Sequence, residues 1–252
     1  MSQEQEHHVR SSLCEIIGNM CAYIIESNEW PEIIPFIFEY VQSSNSIKLE
    51  IGVFLLCLID PTHRELFMQP SYIGPIIATL GACLINYSHE AYLMQAAMKS
   101  FSVLVLLIPR QSEQDILLPL LEPCMRGLQL VCKKNDEDRA TGYIEVLIDM
   151  AEESCAFFTS HLLAVFEVVM DLVESGEVLS VVVHQLVEFL VTLCENGPKF
   201  CRKIKSAVVS EKNYFSSRLL PFCAQLMCRI GDDSKWDSED TVESIEDEED
   251  FS

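Results

Sequence analysis

Residues 30–59 read WPEIIPFIFEYVQSSNSIKLEIGVFLLCLI, and in this stretch apolar residues recur at helical spacing in two successive segments. The first segment predicts a helix whose buried face holds Ile33, Phe36, Ile37, Tyr40 and Val41. The second predicts a helix whose buried face holds Ile47, Ile51, Phe54, Leu55 and Leu58. The polar residues SSN at 43–45 form the turn between them. On this assignment Phe54 is a core side chain, and its truncation to alanine costs about 3–5 kcal/mol.

The helix pair recurs along the chain. Further pairs are predicted at 71–86 with 89–108, at 113–132 with 136–151, and at 161–174 with 178–195. Pro35, Pro75 and Pro119 fall at corresponding points of successive first helices, 40 and 44 residues apart. A proline near the first turn costs little, whereas Pro119 lies deeper and is predicted to bend its helix. A period of about 40–47 residues indicates HEAT or armadillo units, and two helices per repeat favour HEAT.

The predicted fold is all-α, a HEAT-repeat superhelical solenoid of about five helix pairs over residues 1–230. The array is expected to begin within a repeat, because 9–25 resembles a second helix without its first. A further unit begins at 214–230. Residues 231–252 are predicted to be a separate, disordered acidic segment.

The composition excludes several classes of protein. The chain has 252 residues, is 49% hydrophobic and carries a net charge of −22, which argues against nucleic-acid binding. No apolar run predicts insertion into a membrane, and the polar start MSQEQEHHVR is unlike a secretory signal. The eleven cysteines form no CxxC pair and lie mostly among apolar residues. We therefore expect buried, reduced thiols and a cytosolic or nuclear compartment.

No catalytic or cofactor-binding constellation is recognisable. The six histidines are not spaced with cysteines or carboxylates as metal ligands, and the nine glycines form no phosphate-binding loop. His184, in VVVHQLVEF, is interpreted as a partly buried helix residue and not as a catalytic base. We therefore expect a protein that acts by binding, with no enzyme activity, no cofactor and no metal site.

Candidate binding residues lie in the acidic segment near the C-terminus. Residues 232–250 contain eleven acidic residues and one lysine, a net charge of −10 in nineteen positions. The segment is either a disordered solubilising tail or a ligand for basic partners, because clustered carboxylates attract Lys/Arg-rich chains. The tryptophan among the acids favours recognition. The candidate residues are Asp232, Asp233, Trp236, Asp237, Glu239, Asp240, Glu246, Asp247, Glu248, Glu249 and Asp250.

Two stretches resemble a known family. NEWPEIIPFIFEYVQSSNSIKLEIGVFLLCLI, at 28–59, resembles an early repeat of the importin-β (karyopherin-β) nuclear transport receptors, in which a Trp-Pro-acid opening marks a first helix. DDSKWDSEDTVESIEDEEDF, at 232–251, is similar to the acidic, tryptophan-containing segment of the importin beta-three branch. The turn residues Asp136 and Arg139 resemble the Asp and Arg of HEAT consensus repeats. The similarity runs through 11–251 and covers only part of the family's repeat array.

The resemblance implies a receptor module for nuclear import of basic cargo proteins, histones or ribosomal proteins, whose release Ran-GTP regulates. It also implies contacts with Phe-Gly nucleoporins and a location in the cytoplasm and nucleus, with transient passage through the nuclear pore. We expect the first repeats, on which the family's Ran-binding surface starts, to be missing, which weakens the expectation of Ran binding. The alternative is a HEAT-repeat scaffold or chaperone for basic proteins that takes no part in a transport cycle.

Overall fold

A computed structural model describes residues 3–27, 29–58, 68–85, 91–108, 111–134, 136–196, 202, 206, 208–209, 212–213 and 215–229. The chain divides into two units, Met1–Lys205 and Ser206–Ser252. The predicted boundary at 230/231 falls outside the described residues and stays a prediction.

The described part of the first unit consists of helices and their connections. In chain order these are α1 (Gln3–Ser27), α2 (Ile33–Val41), α3 (Ser46–Cys57), α4 (Pro70–Ile85), α5 (Ala91–Leu107), α6 (Gln111–Gln114), a 3-10 helix (Asp115–Leu120), α7 (Leu121–Lys133), α8 (Glu137–Phe158), α9 (Leu162–Glu174) and α10 (Ser180–Asn196). The second unit contains β1 (Val208–Val209), β2 (Lys212–Asn213), a π-helix (Phe215–Leu219) and α11 (Leu220–Arg229).

The helices of the first unit form two layers of neighbours. The second helices pack side by side in the order α1, α3, α5, α8 and α10, which we name the second-helix layer. The first helices α2, α4, α7 and α9 pack in the same order, and each also contacts the second helix of its own pair. Helices that contact only their neighbours along the chain are typical of a repeat solenoid. The predicted helix-pair array is confirmed.

The prolines occupy the positions that the sequence predicts. Pro35 is the third residue of α2, and Pro75 lies inside α4. Pro119 lies in the 3-10 helix that separates α6 from α7. Because a proline nitrogen cannot donate the bond to the fourth preceding carbonyl, the chain replaces α-helix by 3-10 helix before continuing as α7.

Side-chain caps begin two of the second helices. Asn45 Oδ1 accepts a hydrogen bond from the Lys48 amide at 3.1 Å, at the start of α3. Asp136 Oδ1 accepts from the Arg139 amide at 3.3 Å at the start of α8, and the Arg139 guanidinium returns a 2.9 Å ion pair to the same carboxylate. These caps satisfy amides that the first helical turn leaves unbonded. Gly176, with φ of 69°, makes the turn between α9 and α10 in a conformation that favours glycine.

Phenylalanine rings form a column through the second-helix layer, which we name the aromatic column. Phe101 of α5 meets Phe157 of α8 edge-on at 5.7 Å between ring centroids. Phe157 meets Phe158 at 5.5 Å, and Phe158 meets Phe189 of α10 at 5.7 Å, again edge-on. All four side chains are buried. The column therefore joins three successive repeats through their core.

The predicted buried face of α3 is wrong in part. Ile47 is 48% exposed and Phe54 is only half-buried, while Val53, Leu55 and Leu56 are buried. The helix is apolar on nearly every side, so periodicity does not determine which side meets the core. Contacts with α1, α2 and α5 determine it. Phe54 instead lines a small cavity between α3 and α5.

Two predicted helix ends, and the prediction that the chain contains no strand, also differ from the structure. The helix α1 begins at Gln3, before the predicted start at 9. The helix α8 runs to Phe158, past the predicted end at 151, with a kink at Ser154 where φ is −141°. In the second unit, β1 and β2 pair antiparallel, with Val208 opposite Asn213 and Val209 opposite Lys212. The sequence predicted no strand there.

Within the described part of the chain, none of the helices combines the length and apolarity needed to cross a membrane. All ten cysteines in the described ranges are free thiols, and five of them are buried. Burial raises the pKa of Cys124 to about 12. This thiol therefore stays protonated at neutral pH and is a poor nucleophile.

Candidate functional site

The exposed side of α8 carries a line of carboxylates. Asp138, Glu145, Asp149 and Glu152 are all exposed, and their spacing of seven, four and three residues sets them on one side of the helix. From the first to the last they span about 21 Å at 1.5 Å per residue. The adjacent helix α10 adds Glu188 and Glu195, also exposed. We name these six residues the acidic stripe.

The opposite side of α8 fixes the stripe in place. Tyr143 is 2% exposed, and its hydroxyl donates a 2.9 Å hydrogen bond to the Cys124 carbonyl of α7. Burial raises the pKa of Tyr143 well above its usual value, so the hydroxyl remains a donor. Leu147 and Met150 are fully buried between the layers. Because these buried contacts fix the rotation of α8 about its axis, the acidic side of the helix faces solvent.

The stripe ends where α8 kinks. Gln114, only 4% exposed, approaches the kink from the segment after α5. Its Nε2 lies 2.9 Å from Ser154 Oγ, 2.8 Å from the Ile108 carbonyl and 3.2 Å from the Val105 carbonyl. The amide thus satisfies two carbonyls at the C-terminus of α5 and holds the residue at which α8 changes direction.

A small cavity lies between α3 and α5, and one of the residues that line it, Gln95, also approaches α8. A Cβ added to Gly142 of α8 would stand 3.1 Å from Gln95 Nε2, so the Gln95 side chain lies directly against the stripe helix. Gln95, Lys99, Tyr92 and Phe54 are among the residues that line a cavity of about 30 Å³ between α3 and α5. This volume is about that of one water molecule. The cavity is therefore too small for a metabolite.

Basic side chains lie near α1, α3 and α5, whereas the exposed carboxylates of the stripe lie on α8 and α10. At α1 and α3, Arg10 forms a 3.1 Å ion pair with Glu50, and Lys99 is exposed on α5. On α8 and α10, no basic side chain among the described residues forms an ion pair with the acidic stripe. No three histidine, cysteine or acidic side chains of the described ranges converge as metal ligands. His184, interpreted from sequence as partly buried, is exposed on α10.

The binding residues predicted from sequence are not those of the stripe. Asp232, Asp233, Trp236 and the other candidates of the acidic segment lie outside the described residues. Sequence analysis overlooked the stripe because its carboxylates are dispersed among apolar residues. Their heptad spacing opposite the apolar side of α8 is the signal that could have identified them.

Comparisons with family models cover most of the chain. A model described as "IPO5-like, TPR repeats" matches residues 5–168. A second, described as "Importin repeat", matches residues 175–252.

A comparison with individual proteins also finds similarity to an importin. The "Probable importin-5 homolog" of Dictyostelium discoideum is 23% identical over 249 residues, which are 98% of this chain and 22% of that protein. The chain therefore spans about a fifth of the length of this curated relative.

Two solved structures of Kap121p, one bound to Pho4p and one bound to Nup53p, match with a TM-score of 0.64 each. Both are 20% identical in sequence and match 85% of this chain and 20% of theirs. At this identity the likeness confirms the fold, the HEAT-repeat array of a karyopherin.

Proposed function

Because this chain belongs to the IPO5-like TPR-repeat family, a branch of the importin-β group, we propose that it is a protein-binding module for the nuclear import of basic cargo proteins. The similarity to a protein described as an importin-5 homologue supports this proposal. Solved structures of the similar Kap121p contain bound proteins, among them Pho4p and Ulp1p. The module acts by binding and needs no cofactor.

The observation that carries the proposal is the acidic stripe. A Lys/Arg-rich segment laid across α8 and α10 would meet up to six exposed carboxylates. Oppositely charged surfaces of this kind accelerate encounter and fix register, and their effect weakens with salt. Gln95 of α5, which approaches Gly142 of α8, is an uncharged neighbour of the stripe helix.

Neutralising the stripe is expected to weaken cargo binding. In a variant carrying Glu145→Gln, Asp149→Asn and Glu152→Gln, the Kd for a Lys/Arg-rich histone peptide should rise about tenfold, because each exposed charge pair contributes about 0.2–1 kcal/mol. Fluorescence anisotropy over a salt series measures the affinity and its salt dependence, which should also become weaker.

A matched control variant has the same net charge as the stripe variant but loses its carboxylates elsewhere. Glu32→Gln just before α2, Glu39→Gln in α2 and Glu167→Gln in α9 remove three exposed carboxylates away from the stripe and should leave the affinity within about twofold. Equal losses in the two variants would show that only the total charge matters, and the stripe would then not be the binding site.

The acidic segment 232–252 is proposed as a binding element in its own right. Its deletion is expected to weaken histone-peptide binding and to flatten the salt dependence, because exposed charges act within about 8 Å at physiological salt. Trp236→Ala, which changes no charge, should weaken binding beyond the loss that charge removal explains. Unchanged affinity and salt slope after deletion would identify the segment as a solubilising tail and leave the second-helix layer as the binding surface.

Transport partners distinguish this proposal from a HEAT-repeat scaffold or chaperone without a transport cycle. We include Phe-Gly nucleoporins as proposed partners, since a similar structure contains Nup53p. Ran-GTP is proposed on the resemblance to the family, together with shuttling between cytoplasm and nucleus. A pull-down with Ran-GTP and Phe-Gly baits tests both partners. Binding of histone peptide with neither bait retained supports the scaffold.

A further inference from the structure

The acidic stripe has one position on α8 that lacks a carboxylate. The four acidic residues of α8 are spaced by seven, four and three residues. A regular line would hold another side chain four residues after Asp138 and three before Glu145. That position is Gly142, which is half-buried and has no side chain. The line of carboxylates therefore has a gap one residue wide.

The side chain of Gln95, from α5, lies at this gap. A Cβ added at Gly142 would stand 3.1 Å from Gln95 Nε2, which is closer than most side-chain carbons approach a neighbouring atom. The amide therefore occupies the place at which a side chain of residue 142 would begin. Because glycine leaves that place open, a glutamine of the neighbouring repeat stands in line with the carboxylates of α8.

The Gln95 amide has unused hydrogen-bonding capacity. The residue is exposed, and no hydrogen bond joins its side chain to any residue that the structure describes. A side-chain amide offers two donors and an acceptor, whereas an ionised carboxylate only accepts. At this point of the line, a bound chain can therefore find a donor for its backbone carbonyl as well as an acceptor for its backbone N–H.

We propose that Gln95 hydrogen-bonds to the main chain of the basic segment that the acidic stripe attracts, and thereby fixes the register of that segment. This role rests on the proposed function, and the contact does not depend on the side chains of the cargo. Glu145 and Glu152 lie about 5 Å and about 15 Å further along α8 than Gly142. Since an extended chain advances about 3.3 Å per residue, its basic side chains should lie within roughly one to five residues of the anchored peptide group.

Removal of the amide tests this role. Gln95→Ala should raise the Kd for the Lys/Arg-rich histone peptide about threefold to tenfold, which is the effect of one or two neutral hydrogen bonds. The salt dependence of the Kd should stay unchanged because no charge is lost, whereas neutralising the stripe should reduce it. As a control, Gln42→Ala removes an exposed glutamine at the C-terminal end of α2 and should leave the affinity within about twofold. Circular dichroism verifies that both variants remain helical.

A scan of N-methylated histone peptides tests the contact to the main chain. Each peptide carries a methyl group on one backbone nitrogen, which removes that N–H as a donor. Methylation at one position should weaken binding to the unaltered chain, and this loss should disappear in Gln95→Ala. Losses that come from a changed peptide conformation should persist in both chains, so the comparison isolates the contact with Gln95.

The outcomes separate this role from the proposed function. Weaker binding in the stripe variant with unchanged binding in Gln95→Ala would overturn the role of Gln95 and keep the stripe as the binding site. Equal losses in both chains at every methylated position, or a flatter salt dependence in Gln95→Ala, would overturn it as well. If the unaltered chain does not bind the histone peptide, the proposed function fails and the role of Gln95 fails with it.

Discussion

Replacing Phe158 by alanine is expected to lower the free energy of unfolding of the first unit by about 3–5 kcal/mol. The side chain is completely buried and lies at the centre of the aromatic column, between Phe157 and Phe189. Its removal leaves a cavity and also breaks two edge-on ring contacts, each of which contributes about 0.5–1.5 kcal/mol beyond burial. Because the column crosses from α8 to α10, the loss weakens the contact between two repeats.

Urea denaturation followed by circular dichroism measures this effect, and Phe54→Ala is the matched control. Phe54 is a phenylalanine in the same layer, but it is half-buried and borders the cavity between α3 and α5. Its truncation should cost about 1–2 kcal/mol, since less apolar surface is lost from the core and part of the space already exists. A loss at Phe54 as large as that at Phe158 would contradict the assignment of the core to the aromatic column.

Gly52→Ala is expected to destabilise the first unit by about 3 kcal/mol, because it forces two packed helices apart. A Cβ at this position would lie 2.5 Å from the Val41 nitrogen and 2.7 Å from the Tyr40 carbonyl carbon. Both are backbone atoms of α2 and its C-terminus, so no side-chain rotation relieves the overlap. The pair α2–α3 must separate, and the cap at Asn45 is displaced with it.

Gly74→Ala is the corresponding control in α4. Nothing lies within 4 Å of the position that its Cβ would occupy. Alanine is favoured over glycine in a helix interior by about 0.5–1 kcal/mol, so this substitution should stabilise the protein slightly. Urea midpoints of the two variants should therefore move in opposite directions. A neutral Gly52→Ala would show that α2 and α3 do not approach as closely as the structure indicates.

The helix pairs could be predicted from sequence because each segment carries its own period and its own turn. The SSN turn before α3, the Asp136 cap before α8 and the SGE turn before α10 lie where the sequence places them. Pro119 likewise coincides with a change of helix type. Local chemistry determines these features, since caps, turns and prolines act on neighbouring residues.

The orientation of the helices could not be predicted to the same degree. In α3 nearly every side is apolar, so the side that faces the core depends on contacts with three other helices. The acidic stripe likewise depends on contacts between helices that are distant in sequence. Glu145 and Glu188 are 43 positions apart in the chain, and they belong to one surface only because α8 packs on α10. The acidic segment at 232–250 was conspicuous in sequence because its charges are contiguous, and its role as a binding site stays a prediction.

Packing restricted to neighbours has a consequence for how this unit acquires its structure. Nearly all its interfaces join helices within one repeat or in adjacent repeats, so its contact order is low and loop-closure entropy is small at each step. Its stability is then approximated by a one-dimensional Ising chain, in which each repeat contributes an intrinsic term and each interface a coupling term. The aromatic column adds edge-on ring contacts to the coupling at the α5–α8 and α8–α10 interfaces. In such a chain folding can nucleate in any repeat and propagate through the interfaces to its neighbours.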